Sequence, residues 1–555
     1  MNFASGLESN ASGSGTEDAF AGNTAVGSRS IARGERSHNV ANGDSSNSSG
    51  DDSANIATGW NSDSHGNNSS NFASGYGAKA SGTNSSNIAI GLNAVATGDG
   101  GAKTAIGTRA SATGLNTIAL GTDSAATGND ATAIGLSSTA SNTNTTAIGA
   151  KAAATGVNAT SFGADSEAAG SDATAVGISS SASNTNTTAI GVRAAASGLN
   201  AMALGTDSAA TGNDATAIGL LSSASNTNAT AIGARAAATG VNAASFGADS
   251  EASAEDATAV GFDSTANNTN TTAIGAGAAA TGINATSFGG DSEASGDDAT
   301  AVGFDSTANN TNTTAIGARA AASGANATAF GADSKATGVK GTAVGNASSA
   351  EGENATAIGA DSTAAGAKGT ALGNASSAGG ANATAIGQQA TANFVNSTAI
   401  GINTATTRDN QMAFGTVGNT YTMAGVTSSA SRAAQSGPLQ VVTTDSDGNL
   451  ASDQGYIFDT LVRLDNRIDK QGRKLSEGVA MAMAVQDPDL MGQEMFGVKL
   501  NWGTFEHSNA VGLSAAGVLA HDIFSDGDRL SMSGGIGYGV QDKNLGGRVG
   551  LQLSW

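Results

Sequence analysis

The chain has 555 residues, of which 79 are Gly, 2 Pro and none Cys, with 4% aromatics and a net charge of −22. So few large side chains cannot fill the thick core of one globule, so thin layers in an elongated architecture are expected. Without Cys there is no disulfide framework and no thiol chemistry, and the acidic balance disfavours nucleic acid and anionic lipid as partners. No run of about 18 apolar residues suits a membrane-spanning helix. The start, Met1-Asn2-Phe3-Ala4-Ser5-Gly6, shows neither the basic nor the apolar part of a secretory signal.

Repeats come first along the chain. Gly27, Gly43, Gly59, Gly75, Gly91 and Gly107 recur at every sixteenth position. From Ile106-Gly107 an apolar-Gly pair recurs at every fourteenth position through Leu120-Gly121 and Ile134-Gly135 to Phe414-Gly415, 23 copies without a slip. A period of 42 lies over this: the stretch beginning at Thr146 returns nearly intact at Thr230 and Thr272.

Within a unit, the residue before the Gly is large and apolar. Two positions earlier stands Thr (Thr104, Thr132) or a second large apolar residue, as in Ile88/Ile90 and Met412/Phe414, with Ala between them (Ala89, Ala413). That is period two with β-branched residues, a short strand. A second alternation follows at Ala110/Ala112 or Ala152/Ala154, and Gly114 or Asn142 turns the chain. Two strands and two turns describe one rung of a parallel β-solenoid, and roughly 28 rungs at about 4.8 Å would stack to about 130 Å. The expected core is one strand of Ile, Val, Leu and Phe against one of Ala. The other, Ala-bearing face invites a neighbouring chain.

This pattern resembles the head repeats of YadA-like trimeric autotransporter adhesins, at Asn396-Ser397-Thr398-Ala399-Ile400-Gly401 and, less completely, Asn228 to Gly233 and Asn87 to Gly91. The resemblance covers roughly residues 20–415. It implies a left-handed β-roll with three chains side by side. Since the resemblance implies export, a truncated sequence or a late start codon is expected for want of a signal.

Thr416 to Ala424 resembles the family's neck, and Ser436 to Ala451 reads as an extended, turn-punctuated link. Ile457, Leu461, Leu464, Ile468 and Leu475, with Gln471, then follow heptad spacing. This is a coiled-coil seam or, alternatively, an ordinary amphipathic helix. Gly478 to Val485 is small and slick, suited to a confined space, and Asp487-Pro488 ends the helix.

Four alternating runs close the chain. Phe496, Val498, Leu500 and Trp502 belong to the first and Val511 and Leu513 to the second. Leu530, Ile536 and Tyr538 belong to the third, and Val549, Leu551, Leu553 and Trp555 to the fourth. Apolar on one face and small or polar on the other, in segments of about ten, they read as outer-membrane barrel strands with a lipid face, against the alternative of a soluble antiparallel sheet. Four strands in lipid cannot stay open, because their edges would be unsatisfied. Two chains would give eight strands with a filled lumen; three give twelve, with room for three helices. By resemblance this block is the family's membrane anchor, and Trp555 the terminal aromatic used in assembly.

The fold class expected is therefore mostly β: a β-roll head of 14- and 16-residue rungs over 1–415, neck and connector over 416–453, a coiled-coil stalk and pore helix over 454–487, and an anchor over 488–555. The anchor completes a 12-stranded trimeric barrel.

Catalytic chemistry finds no foothold. His38, His65, His507 and His521 are scattered and no Cys exists, so neither a metal site nor a nucleophile is expected, and no cofactor. Gly534 to Gly539 mimics a nucleotide loop but lies in a strand pattern. Gly338 to Thr342 lacks phosphate-loop spacing. Asp-rich turns such as Gly163 to Glu167 lack the nine-residue calcium-roll repeat, so solvated turns are expected. The function expected is adhesion by a homotrimer on the surface of a Gram-negative bacterium. Its partners would be host matrix or cell-surface ligands, outer-membrane lipid and the barrel-assembly machinery, with binding distributed over the repeats. The alternatives are a solenoid enzyme such as a polysaccharide lyase, which would need a cleft of clustered acids and bases, and an ice- or carbohydrate-binding or phage-type rod.

Overall fold

The computed structural model describes residues 1–14 and 21–555; residues 15–20, inside the expected head range, lie outside it. Contacts divide the chain into two compact units, Met1–Asn419 and Thr420–Trp555.

The first unit is a parallel β-solenoid of short strands. The first strands of the rungs form one 29-stranded parallel sheet running from Phe3–Ser5 to Met412–Phe414. Phe3–Ser5 pairs with Thr24–Val26, one rung ahead of the first Gly spacing read from the sequence. The second strands stack likewise from Asn10–Ser12 to Thr363–Ala364 and continue as single bridges through Ser377 and Thr391 to Ala405. Register is strict: Thr132, Ala133 and Ile134 lie beside Thr146, Ala147 and Ile148 of the next rung.

The repeated Gly is required where it stands. Gly107 has φ +138°, and a Cβ there would fall on the carbonyl of Gly121, directly above it. At both turns the chain passes through left-handed backbone, held at one corner by Asn and Asp (Asn116, Asp130, Asn144).

The core differs from the sequence expectation. The middle residue of the first strand in the rungs between the two ends of the stack, such as Ala105, Ala119 and Ala133, is fully buried, as are Ala112, Ala126 and Ala140 of the second. Ile, Val, Leu and Phe of the first strand point outward: Phe162 is 51% and Phe288 52% exposed. Two very short strands folded back on each other within a single rung leave an interior that small side chains fill at native density, chiefly Ala with Ser at Ser161, Ser245 and Ser287. The interior is therefore mainly Ala against Ala, and the large residues form the outer face of the first sheet.

The longer rungs at the start of the head use their two extra residues to bring an Asn inside. Asn39 Oδ1 accepts from the Asn55 amide at 3.0 Å and from Ser53 Oγ at 2.9 Å, while its Nδ2 donates to the carbonyls of Arg33 and Gly50, both at 2.8 Å. Asn23, Asn55, Asn71 and Asn87 are buried alike. Such a ladder satisfies the amides that the wider turn would otherwise orphan. At Asn87 it ends, and buried Lys103 opens the series of shorter rungs, its Nζ donating to the carbonyl of Gly100 at 2.5 Å.

In the second unit a six-residue helix α1 (Ser429–Ala434) is capped by the Ser428 hydroxyl, which accepts from the Ser431 amide. The link read as extended contains an antiparallel hairpin of β1 (Val442–Thr444) and β2 (Leu450–Ser452). Helix α2 (Tyr456–Ala484) follows, then an antiparallel sheet of β3 (Phe496–Phe505), β4 (Ser508–His521), β5 (Arg529–Gly539) and β6 (Leu545–Ser554), in that order. The pairing of β4 with β5 shifts at Val518/Ala520, a bulge. Among the described residues no helix is long and apolar enough to cross a membrane.

Candidate functional site

The head presents two unlike faces. On the first sheet the outward positions are Thr and a large apolar residue, repeated in register over many rungs, as in Ile148, Phe162 and Val176. Each of Phe162, Phe246, Phe288 and Phe330 is followed one rung later by Val, so bulk alternates along the column. On the second sheet the outward column reads Ser111, Ala125, Thr139, Ala153 and Glu167, small and polar. A contiguous apolar column beside a polar one marks the first sheet as the face to be covered.

The corners carry polar ladders. Asn144 Nδ2 donates to Asn158 Oδ1 at 3.0 Å, and Asn158 donates to Asp172 at 2.9 Å, where an acceptor-only carboxylate ends the run. At the other corner Arg109, Arg193, Arg235 and Arg319 each form a forked pair with the Asp one rung on. The guanidinium hydrogen bonds hold Asp123, Asp207, Asp249 and Asp333 below the usual carboxylate range. These pairs are exposed and contribute little stability each. The longer rungs also form one polar concavity of about 630 Å³, lined by Arg36, His38, Asp52, Asn68 and Asn84 among others. Among the described residues no group of three His, Asp or Glu is placed to hold a metal.

The C-terminal sheet sorts its side chains by face. Trp502, Val511, Tyr538 and Leu545 lie in one cross-strand row, and Leu500, Leu513 and Ile536 in the next. Phe496, Val498, Leu500, Trp502, Ile536, Tyr538, Val549, Leu551, Leu553 and Trp555 are exposed, and Leu530 is half-buried. The opposite face holds Gly503, Gly512, Gly535, Gly537 and Gly539, and α2 packs into the hollow they leave. A Cβ at Gly503 would fall on the carbonyl of Ala480, one at Gly512 on the backbone of Ala484, and one at Gly537 2.9 Å from Val485. Ala480, Ala484 and Ala510 are buried together. Below the helix Arg548 pairs with Asp487, and Ser514 Oγ donates to the carbonyl of Gln486.

Two helix residues make polar contacts with the loops at one end of the sheet. Ser476 Oγ donates to Glu506 Oε2 at 2.7 Å. Glu477 is fully buried; its Oε1 accepts from the amides of Gln541 and Asp542 at 2.8 and 2.9 Å, and its Oε2 from Asn544 Nδ2 at 2.6 Å.

Of the residues singled out in the sequence, the apolar set of the four runs falls on one face of one sheet. Ile457, Leu461, Leu464, Ile468 and Leu475 all lie on α2, each exposed. Glu477 was not singled out. Its signal is one carboxylate immediately before the small-residue stretch from Gly478, at the point where the helix enters the glycine-lined hollow.

A model of the YadA head domain repeat matches residues 104–124, 126–152, an overlapping series over 154–320, and then 322–348, 350–376 and 378–404, more than half of the chain. Among solved structures, the collagen-binding domain of the Yersinia adhesin YadA matches at 22% identity over 42% of this chain and 85% of that domain, with a TM-score of 0.14. No curated protein matches.

Proposed function

The chain belongs to the YadA head-repeat family, and on that premise we propose that it is a homotrimeric surface adhesin whose C-terminal strands form its own outer-membrane anchor. The head over 1–415 is displayed. The neck and connector over 416–453 join it to a stalk and pore helix over 454–487, and residues 488–555 supply four strands per chain to a 12-stranded barrel.

The observation that carries this reading is the four-stranded sheet, apolar on one face and hollowed by glycines on the other, with β3 and β6 each paired on one side only. In lipid every backbone group must be paired, so such edges close only by meeting those of other chains. Strands of 10, 14, 11 and 10 residues suit the height of a membrane barrel. Three copies would also cover the apolar head face and the exposed seam of α2. Phe496, Val498, Leu500, Trp502, Leu530, Ile536, Tyr538, Val549, Leu551, Leu553 and Trp555 then face lipid, and the barrel-assembly machinery is the partner for insertion.

Adhesion follows from the repeats. Near-identical rungs present one weak contact many times, so that avidity carries attachment to host matrix, cells or surfaces. Truncation before Pro488 tests the anchor: surface display should vanish while the head still folds. A screen of the purified protein against collagen, fibronectin, laminin, glycans and abiotic surfaces tests adhesion, and failure on every one contradicts that part of the reading.

A further inference from the structure

The last polar side chains of α2 are Ser476 and Glu477; after them the helix offers only Gly478, Val479, Ala480, Met481, Ala482, Met483 and Ala484 to the sheet. These small apolar side chains make no directional contact with the glycine-lined hollow; polar contacts stand only at the two ends of the stretch, Ser514 to Gln486 and Arg548 to Asp487 beyond its last residue and those of Ser476 and Glu477 before its first. Of these, only the contacts of Ser476 and Glu477 are made by side chains of the helix itself. Ser476 bonds to Glu506 in the β3–β4 hairpin, and Glu477 bonds to Gln541, Asp542 and Asn544 in the β5–β6 loop. Both loops lie at the same end of the sheet, and Gln541 sews them together. Its Nε2 donates to the carbonyl of His507 at 3.1 Å, and its Oε1 accepts from the Asn509 amide at 2.9 Å. The Gly539 amide donates to the carbonyl of Asn544 at 2.8 Å, which closes the β5–β6 loop around the carboxylate.

We infer that Ser476 and Glu477 form the stop that sets the depth at which α2 comes to rest in the anchor, by locking the helix to both loops at one end of the sheet. This rests on the proposed reading of the anchor as a pore closed by its helices. A slide of one residue rotates the carboxylate about 100° away from the two amides, and a slide of one turn carries it about 5.4 Å past them. Either move leaves a buried carboxylate and two loop amides unpaired, which strongly opposes it. Met481 and Val485, lacking directional bonds, oppose sliding far less. Glu477 is thus a positioning residue: it bonds loops and touches no ligand.

The test uses the full chain, expressed in the outer membrane of a Gram-negative host and purified in detergent. Glu477→Ala should still display the head and run as an SDS-resistant oligomer. In planar bilayers it should open at least tenfold more often than the parent, and cells should become sensitive to vancomycin, which is too large for an intact outer membrane. Glu477→Gln keeps one acceptor oxygen for the Gln541 and Asp542 amides and should open less than Ala. Displayed Glu477→Ala with the parent's conductance overturns the inference and leaves the anchor reading standing. Should Glu477→Ala fail to assemble, Asn544→Ala and Glu506→Ala, each releasing one loop, decide. More openings than the parent support the stop, and unchanged conductance overturns it. A parent chain absent from the outer membrane removes the anchor reading, and the stop with it.

Discussion

Gly539 and Glu477 occupy adjoining space so completely that a Cβ on Gly539 would fall inside the Glu477 carboxyl group. The same holds along the sheet for Gly503 and Gly512 against Ala480 and Ala484. Gly503→Leu and Gly512→Leu should therefore displace α2 and abolish the SDS-resistant oligomer, since overpacking costs about 1–3 kcal/mol per site and here recurs in every chain. Gly534→Ala is the control: its added Cβ would meet its nearest neighbours at 3.6 and 3.8 Å, ordinary contact, and assembly should survive. Gel mobility without boiling and surface staining of the head read both.

The outward first-sheet column yields a second expectation. If three chains cover it, replacing Phe162, Phe288 and Phe330 by Ser removes about 1.5–3 kcal/mol of burial at each site in each chain. The triple variant should then melt well below the parent. Thr307→Ser, on the outward side of the second sheet, should leave the melting temperature unchanged. Equal melting of both variants by circular dichroism would mean that the first-sheet face is not covered.

Hydrophobicity alone puts that column on the wrong side. The alternation at Thr132-Ala133-Ile134 separates two faces, but period two does not say which face is inside. Hydrophobicity favours Ile134; width decides for Ala133, because the rung is too thin for a large apolar side chain at that position, where Ala or Ser is buried instead. The rung itself, its strands and its turns were legible, since each Gly-apolar pair marks a stacked turn and β-branched alternation marks a strand. The buried Asn ladder was present as Asn23, Asn39, Asn55, Asn71 and Asn87, evenly spaced at one per rung, yet Asn in a Gly-rich repeat reads first as a turn residue. In the anchor, the face of Trp502 and Tyr538 was readable by alternation. The contact of Glu477 with Asn544 spans 67 residues and no local pattern reports it.

His65 gives a pH signature in the head. The hydrogen bond from its ring to Asp63, 2.9 Å, raises its pKa above the ordinary value, against a smaller opposing effect of burial. The stabilisation from this pair is complete below the unfolded value, about 6.5. It is lost as pH rises through the higher folded value. NMR titration of labelled histidine should find the His65 imidazole shifted upward, and Asp63→Asn should lower it again.

The orientation of the anchor is open to labelling. If the C-terminal end of β6 faces the periplasm, as resemblance to other outer-membrane barrels implies, the β3–β4 hairpin lies outside and the turn at Ser525 inside. His507 and Ser525 are exposed, and the chain has no Cys of its own. His507→Cys should react with an impermeant thiol reagent on intact cells, and Ser525→Cys only after the outer membrane is opened. The reverse pattern would invert the barrel.

The account of the C-terminal sheet depends on three chains sharing one barrel, and the mass of the whole protein tests that directly. Purified in mild detergent and sedimented in the analytical ultracentrifuge with the detergent density-matched, the full 53.2 kDa chain should give a single species of about three times that mass. A monomer or a dimer would contradict the trimer, and with it the closed twelve-stranded anchor.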